Sequence, residues 1–136
     1  MQVQYRHRRW NTSCEYGGRK TRLPAQGRFL SNTGGPSNTA NGAFALLSNT
    51  AGGFNTANGD SALSSNTIGG QNTAIGFSAL TSNTSGNDNV ANGFEALSNN
   101  TFRAGNTALG AYAGSGVTTA LNVTCIGVGV GGANVT

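Results

Sequence analysis

One spacing constrains this chain more than any other. An Asn recurs every 17 residues, at Asn38, Asn55, Asn72, Asn89 and Asn106, with no insertion between copies. A Gly stands four places after each of them, at Gly42, Gly59, Gly76, Gly93 and Gly110. An Ala-Leu pair follows at Ala45-Leu46, Ala62-Leu63, Ala79-Leu80 and Ala96-Leu97, and a Thr at Thr50, Thr67, Thr84, Thr101 and Thr118. Fixed chemistry at a fixed period predicts a solenoid, in which one small unit is stacked on copies of itself. The length of 136 residues fits one domain. Charged residues make up only 9% of the chain, which alone would also suit a disordered linker. The strict period argues for order, because a stacked array buries its core between neighbouring copies and needs few bulky residues per unit.

Ser31-Asn32-Thr33 already matches Ser48-Asn49-Thr50, so the array is expected over residues 31–136 as about six coils. The copy at 106–122 departs from the others, with Gly114 where Leu is expected and Val117 where Asn is expected. Asn134-Val135-Thr136 echoes Asn122-Val123-Thr124, so the sequence stops within a repeat and reads as part of a longer array. Residues 1–30 share nothing with the repeat and read as an irregular basic leader or as a cap on the first coil.

Within one unit, Asn-Thr-Ala-x-Gly predicts a short strand. Alternation along it places Ala40, Ala57, Ala74, Ala91 and Ala108 on one face, and a position that is always small and apolar reads as interior. The other face carries Thr39 and Asn41, Thr56 and Asn58, Thr73 and Ile75, Val90 and Asn92, Thr107 and Leu109. Leu46, Leu63, Leu80 and Leu97 complete the expected core. Because Ala and Leu are adjacent and both constant, they predict a short helical turn there, with a second strand as the alternative. Phe77 and Leu80, and Phe94 and Leu97, have the i, i+3 spacing of such a turn. The Ser-Asn-Thr-x-Gly segment would make the return turn, since Asn and Gly tolerate left-handed backbone. The fold class expected is therefore mainly β, a repeat solenoid of the β-roll or β-helix type. If strands pair in register at ~4.8 Å, six coils make a rod of about 25–30 Å.

Asn72-Thr73-Ala74-Ile75-Gly76 resembles the short coil motif of trimeric autotransporter adhesin heads. The longer unit, with Ala79-Leu80 and Ser82-Asn83-Thr84, is similar to repeats of bacterial surface proteins and of phage tail-fibre-like proteins. The resemblance spans residues 31 to 136. It implies a left-handed solenoid, self-association as a homotrimer or fibre, and a place outside the cell, on a cell surface or virion. The 17-residue unit is longer than the usual adhesin-head coil, and Asn41, Asn58 and Asn92 stand where Ile75 and Leu109 keep an apolar residue.

Charge separates the two parts of the chain. Arg6, Arg8, Arg9, Arg19, Lys20, Arg22 and Arg28 lie in the leader, whereas the repeats hold only Arg103 against Asp60, Asp88 and Glu95. Nucleic-acid binding is not expected of the repeats, because phosphate recognition needs clustered basic groups. Arg6-His7-Arg8-Arg9-Trp10 could serve as a basic arm with a stacking ring, but a flexible leader or cap is the simpler expectation. The only His is His7, no nucleophile–base pair is visible, and no coil carries more than one carboxylate. No catalytic residue, metal site or cofactor is therefore expected, and an enzyme is not. Two cysteines far apart, Cys14 and Cys125, do not make a disulfide framework. Cys125 takes an Ala position and is expected as a buried thiol. No apolar run is long enough for a membrane span, and no signal peptide is visible.

The function expected is structural or adhesive: a spacer or multivalent binding surface, with a second copy of the chain or a host-surface glycan or protein as partner. The candidate contact ladder is Thr39, Asn41, Thr56, Asn58, Thr73, Ile75, Asn92, Thr107 and Leu109. An ice-binding solenoid using rows of Thr-x-Asn is the alternative. A fragment with no independent function is the third.

Overall fold

The computed structural model describes residues 34–131 and the backbone of two further strands, Thr12–Tyr16 (β1) and Arg19–Leu23 (β2). The basic arm at residues 6–10, His7 and the echo at Asn134-Val135-Thr136 lie outside the described residues, as does the Cys14 side chain. Six three-residue strands follow: β3 (Thr39–Asn41), β4 (Thr56–Asn58), β5 (Thr73–Ile75), β6 (Val90–Asn92), β7 (Thr107–Leu109) and β8 (Thr124–Ile126). They form one sheet in sequence order, and from β2 onward every pairing is parallel. From β3 to β8 each residue pairs with the one 17 places on, as in Thr56↔Thr73, Ala57↔Ala74 and Asn58↔Ile75. β1 and β2 form an antiparallel hairpin, and β2 continues the sheet through Arg22↔Thr39. The segment before the repeats therefore holds regular strand structure alongside the first coil.

Each strand buries its central residue and turns the two flanking ones outward, so Ala40, Ala57, Ala74, Ala91, Ala108 and Cys125 line the interior. Cys125 is a free buried thiol. Leu46, Leu63, Leu80 and Leu97 pack beside this column and are also buried, with Ala45, Ala62, Ala79, Ala96 and Ala113 next to them.

The path that brings Ala and Leu inward together is not helical. The described residues contain no helix, and no second strand lies between one strand and the next. Three overlapping turns replace them. In the coil at 72–88, Ala79 N–H donates to Gly76 C=O at 3.4 Å, Thr81 to Ser78 at 3.3 Å and Asn83 to Leu80 at 3.1 Å. The third residue of each of the first two turns has positive φ, 53° at Ser78 and 52° at Leu80, the mark of a type II turn. A right-handed helix needs negative φ throughout, so the i, i+3 spacing of Phe77 and Leu80 does not place them on one face. Phe77 points to solvent and Leu80 to the core. The turns are locked from above and below: Leu63 N–H donates to Ala79 C=O at 3.0 Å, Leu80 to Ala96 at 3.0 Å, and Ser78 to Asp60 at 2.9 Å. The arc is thus bonded to its neighbours like a strand, although its backbone curves.

Gly at the end of each strand is imposed by stacking. Gly76 has φ of 125°, and a Cβ there would lie 2.4 Å from the carbonyl oxygen of Gly93 in the next coil.

Two further interior columns are polar. Asn38, Asn55, Asn72, Asn89 and Asn106 form one, and Asn49, Asn66, Asn83 and Asn100 the other; all are buried. Asn72 Nδ2 donates to Asn55 Oδ1 at 3.1 Å and to Gly86 O at 2.8 Å, while its Oδ1 accepts the backbone and side-chain N–H groups of Asn89, each at 3.0 Å. In the second column Asn83 Nδ2 donates to Asn66 Oδ1 at 2.8 Å and to Gly86 O at 3.0 Å. The Gly86 carbonyl therefore receives an Asn from each column, and its two lone pairs tie the return segment to the strand. A buried amide left unpaired would cost about 1–3 kcal/mol, so satisfying both ends of each amide is a condition of stacking. The Asn of Ser-Asn-Thr is thus not the left-handed return residue the sequence suggests. That role falls to Ser37, Phe54, Gln71, Asp88, Gly105 and Asn122, one place before the strand column of Asn.

Candidate binding face

The strands present two rows to solvent. Register pairs Thr39, Thr56, Thr73, Val90, Thr107 and Thr124 in one, and Asn41, Asn58, Ile75, Asn92, Leu109 and Ile126 in the other. All nine ladder residues singled out from sequence fall in these rows. Thr39, Asn41, Asn58, Ile75, Asn92 and Leu109 are exposed, whereas Thr56, Thr73 and Thr107 are half-buried between their neighbours. Val90, Thr124 and Ile126 extend the rows beyond that set, and all three are exposed.

The face changes character along the array. In β3 and β4 it is Thr and Asn throughout, and Asn41 Nδ2 donates to Asn58 Oδ1 at 3.1 Å across the exposed row. From β5 onward apolar side chains enter: Ile75 is 38% exposed, Leu109 48% and Ile126 65%. The Thr-x-Asn pattern is complete only in β3 and β4.

Beside the second row, across the strand-end Gly, runs an aromatic stripe the sequence reading did not assign to the surface. Phe77 stacks on Phe94 with centroids 5.2 Å apart and planes at 13°, and Tyr112 meets Phe94 edge-on at 5.2 Å. All three are exposed. The stacked rings cover each other's faces, so the stripe offers solvent mainly ring edges. Recurrence of Phe directly after the strand-end Gly was the available signal. It was absorbed into the expected helical turn, which would have carried the same spacing inward. Elsewhere on the coils Ile68, Phe102 and Leu121 are exposed singly.

Charge is sparse on the coils, with Asp60, Asp88, Glu95 and Arg103 the only charged side chains among residues 34–131. Asp60 accepts a hydrogen bond from Ser61 Oγ at 2.7 Å, and Arg103 lies with its guanidinium 4.6 Å over the Phe102 ring, its Nε buried without a hydrogen-bond partner. Among the described residues no group of three or more His, Cys, Asp or Glu could hold a metal ion. Among them, no helix is long and apolar enough to cross a membrane.

Fold and surface together define a parallel-strand β-solenoid of about five turns with 17-residue coils. Comparison with known proteins returns no matching family model, no matching curated protein and no matching solved structure.

Proposed function

We propose that this solenoid is a structural and adhesive segment of a bacterial surface or phage fibre protein. It serves as a spacer and as a multivalent binding surface, without catalysis. The observation that carries this reading is the pair of outward rows, kept in register over six strands, one of them Thr at five of its six places and the other mixing Asn with Ile and Leu. A ladder that repeats one weak contact gains affinity through avidity, which suits attachment better than chemistry. Two partners fit the two ends of the face. The apolar part, Ile75, Phe77, Phe94, Leu109, Tyr112 and Ile126, suits a second copy of the chain, since contiguous exposed apolar side chains mark association surfaces. The wet part at Asn41 and Asn58 suits a host-surface glycan or protein, through amide donors and acceptors. A place outside the cell follows from the resemblance of Asn72-Thr73-Ala74-Ile75-Gly76 to adhesin-head repeats.

Light scattering on the purified chain tests the association. A concentration-independent trimer or larger assembly is expected, and Phe94→Ser should dissociate it while leaving the coil folded by circular dichroism. A strictly monomeric chain at high concentration would remove self-association and leave the spacer role. Immobilised glycans and cell-surface proteins, probed with chains of increasing coil number, test adhesion through the expected steep rise of retention with coil count.

A further inference from the structure

We propose that Asn41, Asn58 and Asn92 are modification sites, at which the side-chain amide is lost spontaneously to give aspartate and isoaspartate. In the reaction the backbone nitrogen of the next residue attacks the Asn side-chain carbonyl carbon. An N–C bond forms, the bond to Nδ2 breaks, and ammonia leaves with the proton given up by the attacking N–H. Water then opens the five-membered imide at either carbonyl, returning the normal or the iso linkage. No oxidant or reductant is involved. Ring closure is favoured when the next residue is Gly, whose missing side chain leaves the attacking nitrogen uncrowded, and is hindered by β-branching there.

The fold supplies both conditions at the same three places. Stacking imposes the Gly: a Cβ at Gly42 would lie 2.3 Å from the Gly59 carbonyl oxygen, at Gly59 2.3 Å from that of Gly76, and at Gly93 2.2 Å from that of Gly110. Alternation in the strand puts the residue before that Gly on the solvent face, so Asn41, Asn58 and Asn92 are exposed. The interior columns have the opposite arrangement. Every buried Asn from Asn38 to Asn106 is followed by Thr or Val. The exposed Asn87, Asn99 and Asn122 are followed by Asp, Asn and Val.

The folded coil restrains the reaction without abolishing it. Gly59 N–H donates to Asn41 C=O at 2.8 Å and Gly93 N–H to Ile75 C=O at 2.8 Å, so the attacking nitrogen is freed only when its coil opens locally. β4 and β6 are held by three register pairs on each side, and among the described residues β3 pairs with β2 at Arg22↔Thr39. Conversion at Asn92 places a carboxylate between Ile75 and Leu109, its register neighbours, inside the apolar part of the face. That last consequence rests on the self-association proposed above; the modification itself does not.

Peptide mapping by mass spectrometry with isoaspartate detection tests this on the full chain, aged at mildly alkaline pH in native buffer and in urea. The expected result is conversion confined to Asn41, Asn58 and Asn92. Conversion at Asn58 and Asn92 should be several-fold slower in native buffer than in urea. Asn41→Gln should abolish conversion at that peptide only. Comparable conversion at Asn87, Asn99 or Asn122, or no native conversion by the time the urea sample is complete, would overturn the proposal. Light scattering of the same aged samples separates the two ideas. Loss of assembly that tracks Asn92 conversion supports the carboxylate consequence, whereas conversion without any change in assembly removes only that consequence.

Discussion

The coil at 72–88 and the coil at 106–122 solve the same packing problem with different residues. The first fills its interior with Leu80 and closes it with Asn83, whose amide bridges to Asn66 and to Gly86. The second has Gly114 and Val117 at those places, and Val117 is fully buried. The changes are coupled. Gly114 removes the aliphatic volume that Val117 restores one turn on, but Val117 has no amide to offer Asn100 Oδ1. Asn106 from the other column makes good that loss: its Nδ2 donates to Asn100 Oδ1 at 3.2 Å and to Ala120 O at 3.1 Å, and its Oδ1 accepts the Val123 N–H at 2.9 Å. Both polar columns therefore end with their last amides satisfied. A polar column inside a solenoid cannot simply stop; its final member needs a partner from elsewhere.

The sharpest way to break the regular coil is to charge its core. Leu80→Asp should leave no cooperative unfolding transition in circular dichroism, since an unpaired buried carboxylate costs roughly 4 kcal/mol or more. A soluble variant that kept the wild-type melting temperature would show Leu80 to be outward. Asn83→Val imposes the later coil's solution on the regular one without its compensation. It orphans Asn66 Oδ1 and leaves Asn100 Nδ2 with the Arg103 carbonyl alone, and a loss of about 2–4 kcal/mol is expected from urea unfolding midpoints. Val117→Asn asks the reverse question and should cost less, about 1–3 kcal/mol, because the new amide can donate to Asn100 Oδ1 only in competition with Asn106. Equal effects of the two substitutions would mean that the columns are not cooperative. The smallest effect is a gain. Ser78 holds positive φ without a glycine's freedom, so Ser78→Gly should raise the melting temperature by a few degrees, corresponding to at most about 1 kcal/mol, whereas Tyr112→Gly in the later coil should forfeit the same relief through its lost contact with Phe94.

The period, the strand and the inward Ala were legible because each depends on one kind of information, recurrence or alternation. The arc at Ala-Leu was not. Leu46, Leu63, Leu80 and Leu97 sit at φ of 50–52°, a region that Leu rarely occupies, and no propensity argument places Leu there. The neighbouring coils' hydrogen bonds hold that conformation, and such bonds are invisible to a reading of one unit at a time. The buried Asn of Ser-Asn-Thr was misread for a different reason, because Asn serves both turns and ladders. Invariance was the discriminating clue. A turn position tolerates Gly, Asp or Ser, as the left-handed place of Ser37, Phe54, Gln71, Asp88, Gly105 and Asn122 shows. A ladder position needs a donor and an acceptor on one short side chain, which among residues of that size only Asn supplies. The outward rows followed from the strand assignment, but the aromatic stripe beside them did not, because the helical expectation had already turned Phe77 and Phe94 inward.

The shared register has a consequence for length. Because Asn55, Asn72 and Asn89 make the same bonds to the coils on either side, excising residues 72–88 would set Asn55 against Asn89 and Ala57 against Ala91 with every interior partner replaced in kind. Excising any other number of residues would set unlike columns against each other. Reach is therefore adjustable in whole steps of one coil, and the specialised coil that begins at Asn106 can stay where it is while the interior of the rod is lengthened or shortened by duplication and loss.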